Sequence, residues 1–209
     1  MVWNEELKRE IPKGWMTLAL SEVEPNVITG KTPSTADERN FGGTIPFITI
    51  DDIRQYLFVY KTVRTLTVKG ADSQVTKYLP AGSLCCSCIG TVGVLGFVGR
   101  ISQTNQQVNS IIFSDQRNKE FLYFSLQLHF SHVNAKVGNI LPNMSKDEFC
   151  RIPVLYPTKD LLSKYHTHVK YIFAQINIRI KQIIDLTKQR DELLPLLMNG
   201  QVNCDLSHD

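Results

Sequence analysis

From Asp160 to Leu194 the chain runs for a long stretch without a single Gly or Pro, and its apolar residues recur in a three-then-four rhythm. With Leu162, Tyr165, Val169, Ile172, Ile176, Arg179, Ile183, Leu186, Arg190, Leu193 and Leu197 as the seam, nine of eleven positions are apolar. Heptads sustained this far predict a coiled-coil helix. At 1.5 Å per residue it would span roughly 50 Å, longer than the preceding part of the chain is wide. The reading therefore asks for a partner helix along Leu162, Tyr165, Val169, Ile172, Ile176, Ile183, Leu186, Leu193 and Leu197. The competing reading lays an amphipathic helix along its own domain. Arg179 and Arg190 on the seam are suited to setting register. Pro195 should kink or end the helix, and Gly200 should terminate any helical turn beyond it.

Before Tyr156-Pro157 the pattern is different, with short β-rich runs separated by turn residues. Thr44–Ile50 and Val59–Val68 are rich in β-branched and aromatic residues and read as strands. Ser83–Ile89 and Val92–Val98 read as buried strands meeting at a glycine-containing turn, and Val108–Phe113 as another. Asn118–Val133 carries Phe121, Leu122, Phe124, Leu128 and His129 at helical spacing. Ser145 with Asp147 and Glu148 predicts a capped helical turn. Arg151–Tyr156 reads as a last strand, demoted to an edge by Pro153. The fold class is thus an α/β (α+β) globular domain over residues 1–157, followed by a long helix over 158–199 and a tail over 200–209.

Composition excludes some classes. Of 209 residues, 43% are apolar and 21% charged, which is ordinary for a globular chain. No run of apolar residues is long enough to span a bilayer as a helix. The start of the chain lacks the basic-then-apolar order of a signal peptide. Five cysteines, three of them clustered at Cys85, Cys86 and Cys88, fit a reducing compartment better than a bridged framework. A cytoplasmic location is expected. The net charge of +3 hides an asymmetry: Arg54, Lys61, Arg64, Lys69, Lys77 and Arg100 face only Asp72 between residues 54 and 100. Such an excess suits a phosphate backbone, although counter-charges from elsewhere in the fold could equally neutralise it.

No catalytic constellation is visible. Cys85, Cys86 and Cys88 lack the second ligand pair that tetrahedral zinc needs, and in a strand Cys86 and Cys88 would share one face as small apolar groups. His166 and His168 fall on different sides of a helix. Gly90, Gly93 and Gly96 lack the G-x-G-x-x-G spacing of a dinucleotide loop. What stands out is polar loop chemistry between buried strands, at Gly30–Thr35, Gln103–Gln107 and Lys136–Asn139 with Asn143. Asn and Gln are suited to adenine edges, yet such residues also serve turns for backbone reasons.

Motifs spread along nearly the whole chain resemble one family. They are Ile11-Pro-Lys-Gly-Trp15, Gly30-Lys-Thr-Pro33, Gly42-Gly-Thr-Ile-Pro-Phe-Ile48 and Asp51-Asp-Ile53, then Leu79-Pro-Ala-Gly-Ser83, Ser87-Cys-Ile-Gly90 and Thr104-Asn-Gln106. Leu186-Thr-Lys-Gln-Arg-Asp-Glu-Leu-Leu194 through Gly200-Gln-Val202 completes the series. In order and spacing the chain resembles the specificity (S) subunit of type I restriction–modification systems, as one target recognition domain with its conserved helix. The resemblance implies sequence-specific binding to double-stranded DNA, with each domain reading half of a bipartite target. It implies docking to methyltransferase (M) and restriction (R) subunits, and no chemistry of its own. S-adenosylmethionine and ATP with Mg would sit on those partners, with no cofactor or metal on this chain.

Such subunits carry two recognition domains and two helices, whereas this chain has one of each. A half-subunit that homodimerises through its helix and a fragment of a longer chain are the two explanations. The opening Met1-Val-Trp-Asn-Glu-Glu-Leu resembles the spacer before a second recognition domain and tilts the reading towards the fragment. Loop position and chemistry then nominate Lys31, Arg54, Arg100 and Lys136 for phosphates. They nominate Thr32, Ser34, Thr104, Asn105 and Gln106 for bases in the major groove. The alternatives are a helix-mediated scaffold that never touches DNA, and a stand-alone DNA-modifying enzyme domain.

Overall fold

The computed structural model describes residues 1–5, 8–137 and 143–200, with the side chains of residues 134–137 outside that description. The chain opens with a hairpin of β1 (Val2–Asn4) and β2 (Arg9–Ile11), then β3 (Met16–Ala19), the short α1 (Leu20–Val23) and β4 (Val27–Thr29). Next come β5 (Phe41–Ile48), α2 (Ile50–Gln55), β6 (Phe58–Val59), β7 (Thr65–Leu66) and α3 (Val68–Asp72). Strands β8 (Leu84–Ser87), β9 (Leu95–Val98), β10 (Gln103–Thr104) and β11 (Val108–Ile111) come after these. The chain then enters α4 (Asn118–Val137), α5 (Lys146–Cys150), β12 (Pro153–Tyr156) and α6 (Lys159–Met198). Two sheets dominate, one ordered β4-β11-β8-β9-β6 and one ordered β10-β5-β7, while β12 pairs with β3.

The five-stranded sheet separates two layers of core. Side chains alternate along β8, so Leu84 and Cys86 point towards α4 and α6 while Cys85 points to the opposite layer with Ile48, Ile53 and Val98. The expectation that Cys86 and Cys88 share an apolar face holds. Burial pushes the Cys85 thiol up to about 12 and the Cys86 thiol well above its usual range. The Cys88 thiol is drawn the other way by its hydrogen bond with Cys86 and by Asn109, whose Nδ2 donates to Cys88 Sγ at 3.2 Å. Among the described residues no group of three or more His, Cys, Asp and Glu could hold a metal.

The run Val59–Val68 is not one strand. It divides into β6, parallel to β9, and β7, antiparallel to β5, and Val63 between them is 87% exposed. β-branched composition cannot distinguish a strand from a loop that crosses between two sheets. The other expected elements lie close to their predicted ranges. Ser145 caps α5, its Oγ accepting from Glu148 N while Glu148 Oε2 accepts from Ser145 N.

The long helix corrects part of the expectation that its seam needs a partner helix, because its first half lies along its own domain. Leu162, Phe173 and Ile180 are buried, with Tyr165, Val169 and Ile176 half-buried beside them. Phe173 is the anchor, with its ring 5.9 Å from Phe97, 5.8 Å from Tyr123 and 5.8 Å from Phe124. Tyr60 Oη donates to Asn177 Oδ1, and His166 Nδ1 meets Glu120 Oε2 at 2.8 Å. The same helix carries a second apolar stripe, because a strict heptad slips by about 20° per repeat around a straight helix. On that stripe Ile172, Ile183, Leu186, Leu193 and Leu197 are exposed, and from Lys188 onward every described residue of the helix is exposed. Pro195 does not end the helix, which continues to Met198. Gly200, at φ +65°, sits just beyond in the left-handed region that suits a helix end.

Candidate nucleic-acid interface

Two loops that are distant in sequence form one surface. The Lys31–Ser34 segment leaves β4, and the Gln103–Gln107 segment joins β10 to β11. Lys31 N donates to Thr104 O at 2.9 Å, and Gly30 N to Val108 O at 3.0 Å. Across the top, Thr32 Oγ1 donates to Gln106 Oε1 at 2.7 Å, leaving the Gln106 Nε2 donors unspent by that bond. The approach is close enough that a Cβ on Gly30 would stand 2.1 Å from Asn105 O and 2.2 Å from Thr104 Oγ1. Only glycine fits there.

Beside this pair lies a cleft of about 520 Å³, lined by Thr49, Arg54, Arg64, Thr91, Asn105 and Gln107 among others. Helix α2 supplies Arg54, and its cap sets the geometry. Thr49 N and Oγ1 both donate to Asp52 Oδ2, and Val63 N donates to Asp52 Oδ1. The Asp51-Asp52 pair is therefore divided in role. Asp52 is buried as a cap, whereas Asp51 is exposed and holds the Arg54 guanidinium at 3.1 Å. Arg54 also donates to Thr91 Oγ1 at 2.6 Å, tying α2 to the turn after β8.

The structure thus brings Lys31, Thr32, Asn105 and Gln106 together, with Arg54 and Asn105 lining the same cleft. Ser34 is exposed on the same loop, where its carbonyl accepts from Asn40 Nδ2. Thr104 does not belong on the surface. It is 1% exposed in β10, parallel to β5, with Gly30 packed against it, so the base contact expected of it is sterically closed. Asn105 is half-buried with its amide spent inside its own loop: Nδ2 donates to Gln107 Oε1, and Oδ1 accepts from Gln107 N. Arg100 stands apart, donating to Thr44 O towards the other end of β5. The Lys136 side chain lies outside the described residues, as do residues 138–142 and the tail beyond Gly200.

The basic excess is partly neutralised. Asp37 binds both Arg39 and Lys69 at 2.8 Å, and the two cations hold its carboxyl well below the usual carboxylate range. The sequence places Arg64 in the basic excess but does not nominate it as a phosphate contact. Its guanidinium lies 4.6 Å from the Phe41 ring centroid, at the rim of the cleft. The signal was present as a basic residue inside the run Val59–Val68, which reads as a single strand.

A second hollow of about 850 Å³, largely apolar, opens between α4, β12 and the first turns of α6 and includes Trp15, Phe124, Leu128 and Leu161. Among the described residues no helix is long and apolar enough to cross a membrane.

The chain is similar to known proteins along most of its length. The specificity subunit of the type I restriction enzyme HindI of Haemophilus influenzae is 38% identical over 196 residues, covering 92% of this chain and 42% of that protein. The MjaIX specificity subunit of Methanocaldococcus jannaschii is 25% identical over 191 residues, covering 86% of this chain and 44% of the relative. Among solved structures, a chain of a type I R-M system superposes with TM-score 0.62 at 15% identity, covering 95% of this chain and 48% of that one. The HsdS subunit of Thermoanaerobacter tengcongensis does so with TM-score 0.60 at 15% identity, over 93% of this chain and 47% of that chain. These structural likenesses establish the fold, a mixed α/β domain followed by a long C-terminal helix. The chain spans less than half the length of each of these relatives. The model of the type I restriction modification DNA specificity domain matches residues 12–194, and the chain belongs to that family.

Proposed function

We propose that this chain is a non-catalytic DNA-specificity element that reads one half of a bipartite target for a type I restriction–modification complex. The observation that carries the reading is the locked pair of polar loops standing on a specificity-domain fold. Residues 1–157 form the recognition domain in this reading, 158–199 the helix for dimerisation and methyltransferase docking, and 200–209 a tail. Thr32, Ser34 and Gln106 present side chains to base edges, with Asn105 chiefly shaping its loop. Lys31 beside the loops and Arg54 with Arg64 at the cleft hold phosphates, and Arg100, which stands apart, holds another. S-adenosylmethionine and ATP with Mg belong to the partner subunits.

Arg54→Ala tests the phosphate assignment. Duplex binding by the full chain should weaken for all sequences alike, and the slope of log K against log salt should flatten by about one unit. An unchanged slope refutes the assignment.

The exposed stripe on α6 supports association through the helix. Leu186→Glu combined with Leu193→Glu should convert a self-associating chain to monomer in analytical ultracentrifugation while leaving the thermal transition of the domain in place. A wild-type chain that is monomeric at high concentration counts against helix-mediated homodimerisation.

Co-expression with a methyltransferase subunit tests the whole reading. Adenine-methylation mapping should return an interrupted, palindromic motif if two copies of the chain act together. No motif, with both proteins confirmed folded and present, means either a fragment that needs its missing half or a chain that only binds protein.

A further inference from the structure

Beneath the two loops lies a buried pair of amides with no role in the contacts proposed so far. Gln74, between α3 and the chain leading to β8, is 7% exposed, and Gln103 is fully buried. Gln74 Nε2 donates to Lys31 O at 2.7 Å and to Gln103 Oε1 at 2.9 Å. Gln103 Nε2 donates in turn to Ala71 O at 2.9 Å and to Gln74 O at 3.3 Å. One side chain therefore holds the backbone of the first loop and the root of the second. Its own Oε1 is buried with no hydrogen-bond partner among the described residues. A buried amide oxygen left unpaired costs free energy, and a site selected for stability alone would be filled more cheaply by an apolar residue.

We infer that Gln74 is a specificity-determining positioning residue: through the Lys31 carbonyl and Gln103 it sets the height of the Thr32–Gln106 pair relative to the DNA. The inference rests on the proposal that these loops read bases. Gln74 touches no DNA in this arrangement. Its effect comes from coupling the loops, so that a shift in either one moves both. Bidentate and single hydrogen bonds to base edges demand donor–acceptor distances within a few tenths of an ångström. Phosphate contacts by flexible Lys and Arg side chains tolerate such a shift.

The test selects bound sequences from a pool of random duplexes with the full chain, in parallel with salt-titrated binding to the unselected pool. Gln74→Met keeps volume and removes both donated bonds. The variant should hold pool affinity within about twofold with an unchanged salt slope. Its enriched motif should change at the same base positions that Thr32→Val and Gln106→Ala change. Hydrogen exchange should rise together in 30–34 and 103–107 and stay slow in β8 and β9. A folded Gln74→Met that enriches the parent's motif overturns the inference, since a merely structural role would lower the melting temperature and leave base preference alone. A parent chain that enriches no motif overturns the base-reading proposal and this inference with it, and is distinguishable because it appears without any variant. Where Gln74→Met fails to fold, Gln74→Asn, which keeps the amide but withdraws it by one methylene, is read by the same criteria.

Discussion

Phe173→Ala should destabilise the protein by about 3–5 kcal/mol, the cost of removing a large aromatic from a packed core. Phe173 is 6% exposed, and its ring meets Phe97, Tyr123 and Phe124 edge-on within 6 Å, with Phe58 at 6.5 Å. Each such aromatic pair adds about 0.5–1.5 kcal/mol beyond area alone. The loss falls on the joint between α6 and the five-stranded sheet, since Phe97 lies in β9 and Tyr123 and Phe124 in α4. Urea denaturation followed by circular dichroism measures it. The neighbouring Ile172→Ala is the control. Ile172 is 59% exposed, and truncating it should change monomer stability by no more than about 0.5 kcal/mol. It should instead weaken any association through the helix. Equal losses from the two substitutions would show that α6 is not docked through the Phe173 face.

Gly30→Ala has the second large expected effect. The added methyl would meet the Asn105 carbonyl and the Thr104 side chain at near-bonding distance, and Thr104 is buried beneath the loop. Backbone must move to relieve the contact, and overpacking of this kind costs about 1–3 kcal/mol. The displacement parts the Lys31 N to Thr104 O bond and lifts Thr32 from Gln106. Specific DNA binding should therefore fall by more than the stability loss implies, while salt-dependent, sequence-independent binding persists. Gel-shift titration of folded variant with specific and competitor duplex separates the two. A variant that is destabilised but keeps its full specificity ratio would show that the two loops do not act as a unit.

The Cys85–Cys88 cluster shows how local pattern and tertiary context divide the explanation. Alternation in a strand already places Cys86 and Cys88 on one side, and Cys86 in β8 and Cys88 just past its end share one core layer. The capped turn at Ser145, the helix from Asn118 and the hairpin of β8 and β9 are equally local, depending on caps, period and turn residues within a few positions. Thr104 fails for the opposite reason. Its hydroxyl and loop-edge position suggest an exposed donor, but a parallel pairing with β5 and the approach of Gly30 bury it. Neither neighbour is near in sequence. The placement of Arg64, visible in the sequence only as one of the basic excess, was hidden in the same way, inside a run whose composition reads as strand and whose path crosses between sheets.

The helix marks the boundary most clearly. Its existence, length and amphipathic character come from the sequence alone, because a long segment free of Gly and Pro with apolar residues three and four apart has one regular way to satisfy its backbone. So do the run of short β elements before it and the polar character of the two loops. Which of two overlapping apolar stripes would meet the domain was decided only in three dimensions. Stripes displaced by a fraction of a turn have nearly the same period, and the choice between them depends on where Phe97, Tyr123 and Phe124 lie in space. The joining of Lys31–Ser34 to Gln103–Gln107 has the same origin. Hydrogen bonds between segments so far apart in the chain carry no local signature, and only the completed sheet brings their partners within reach.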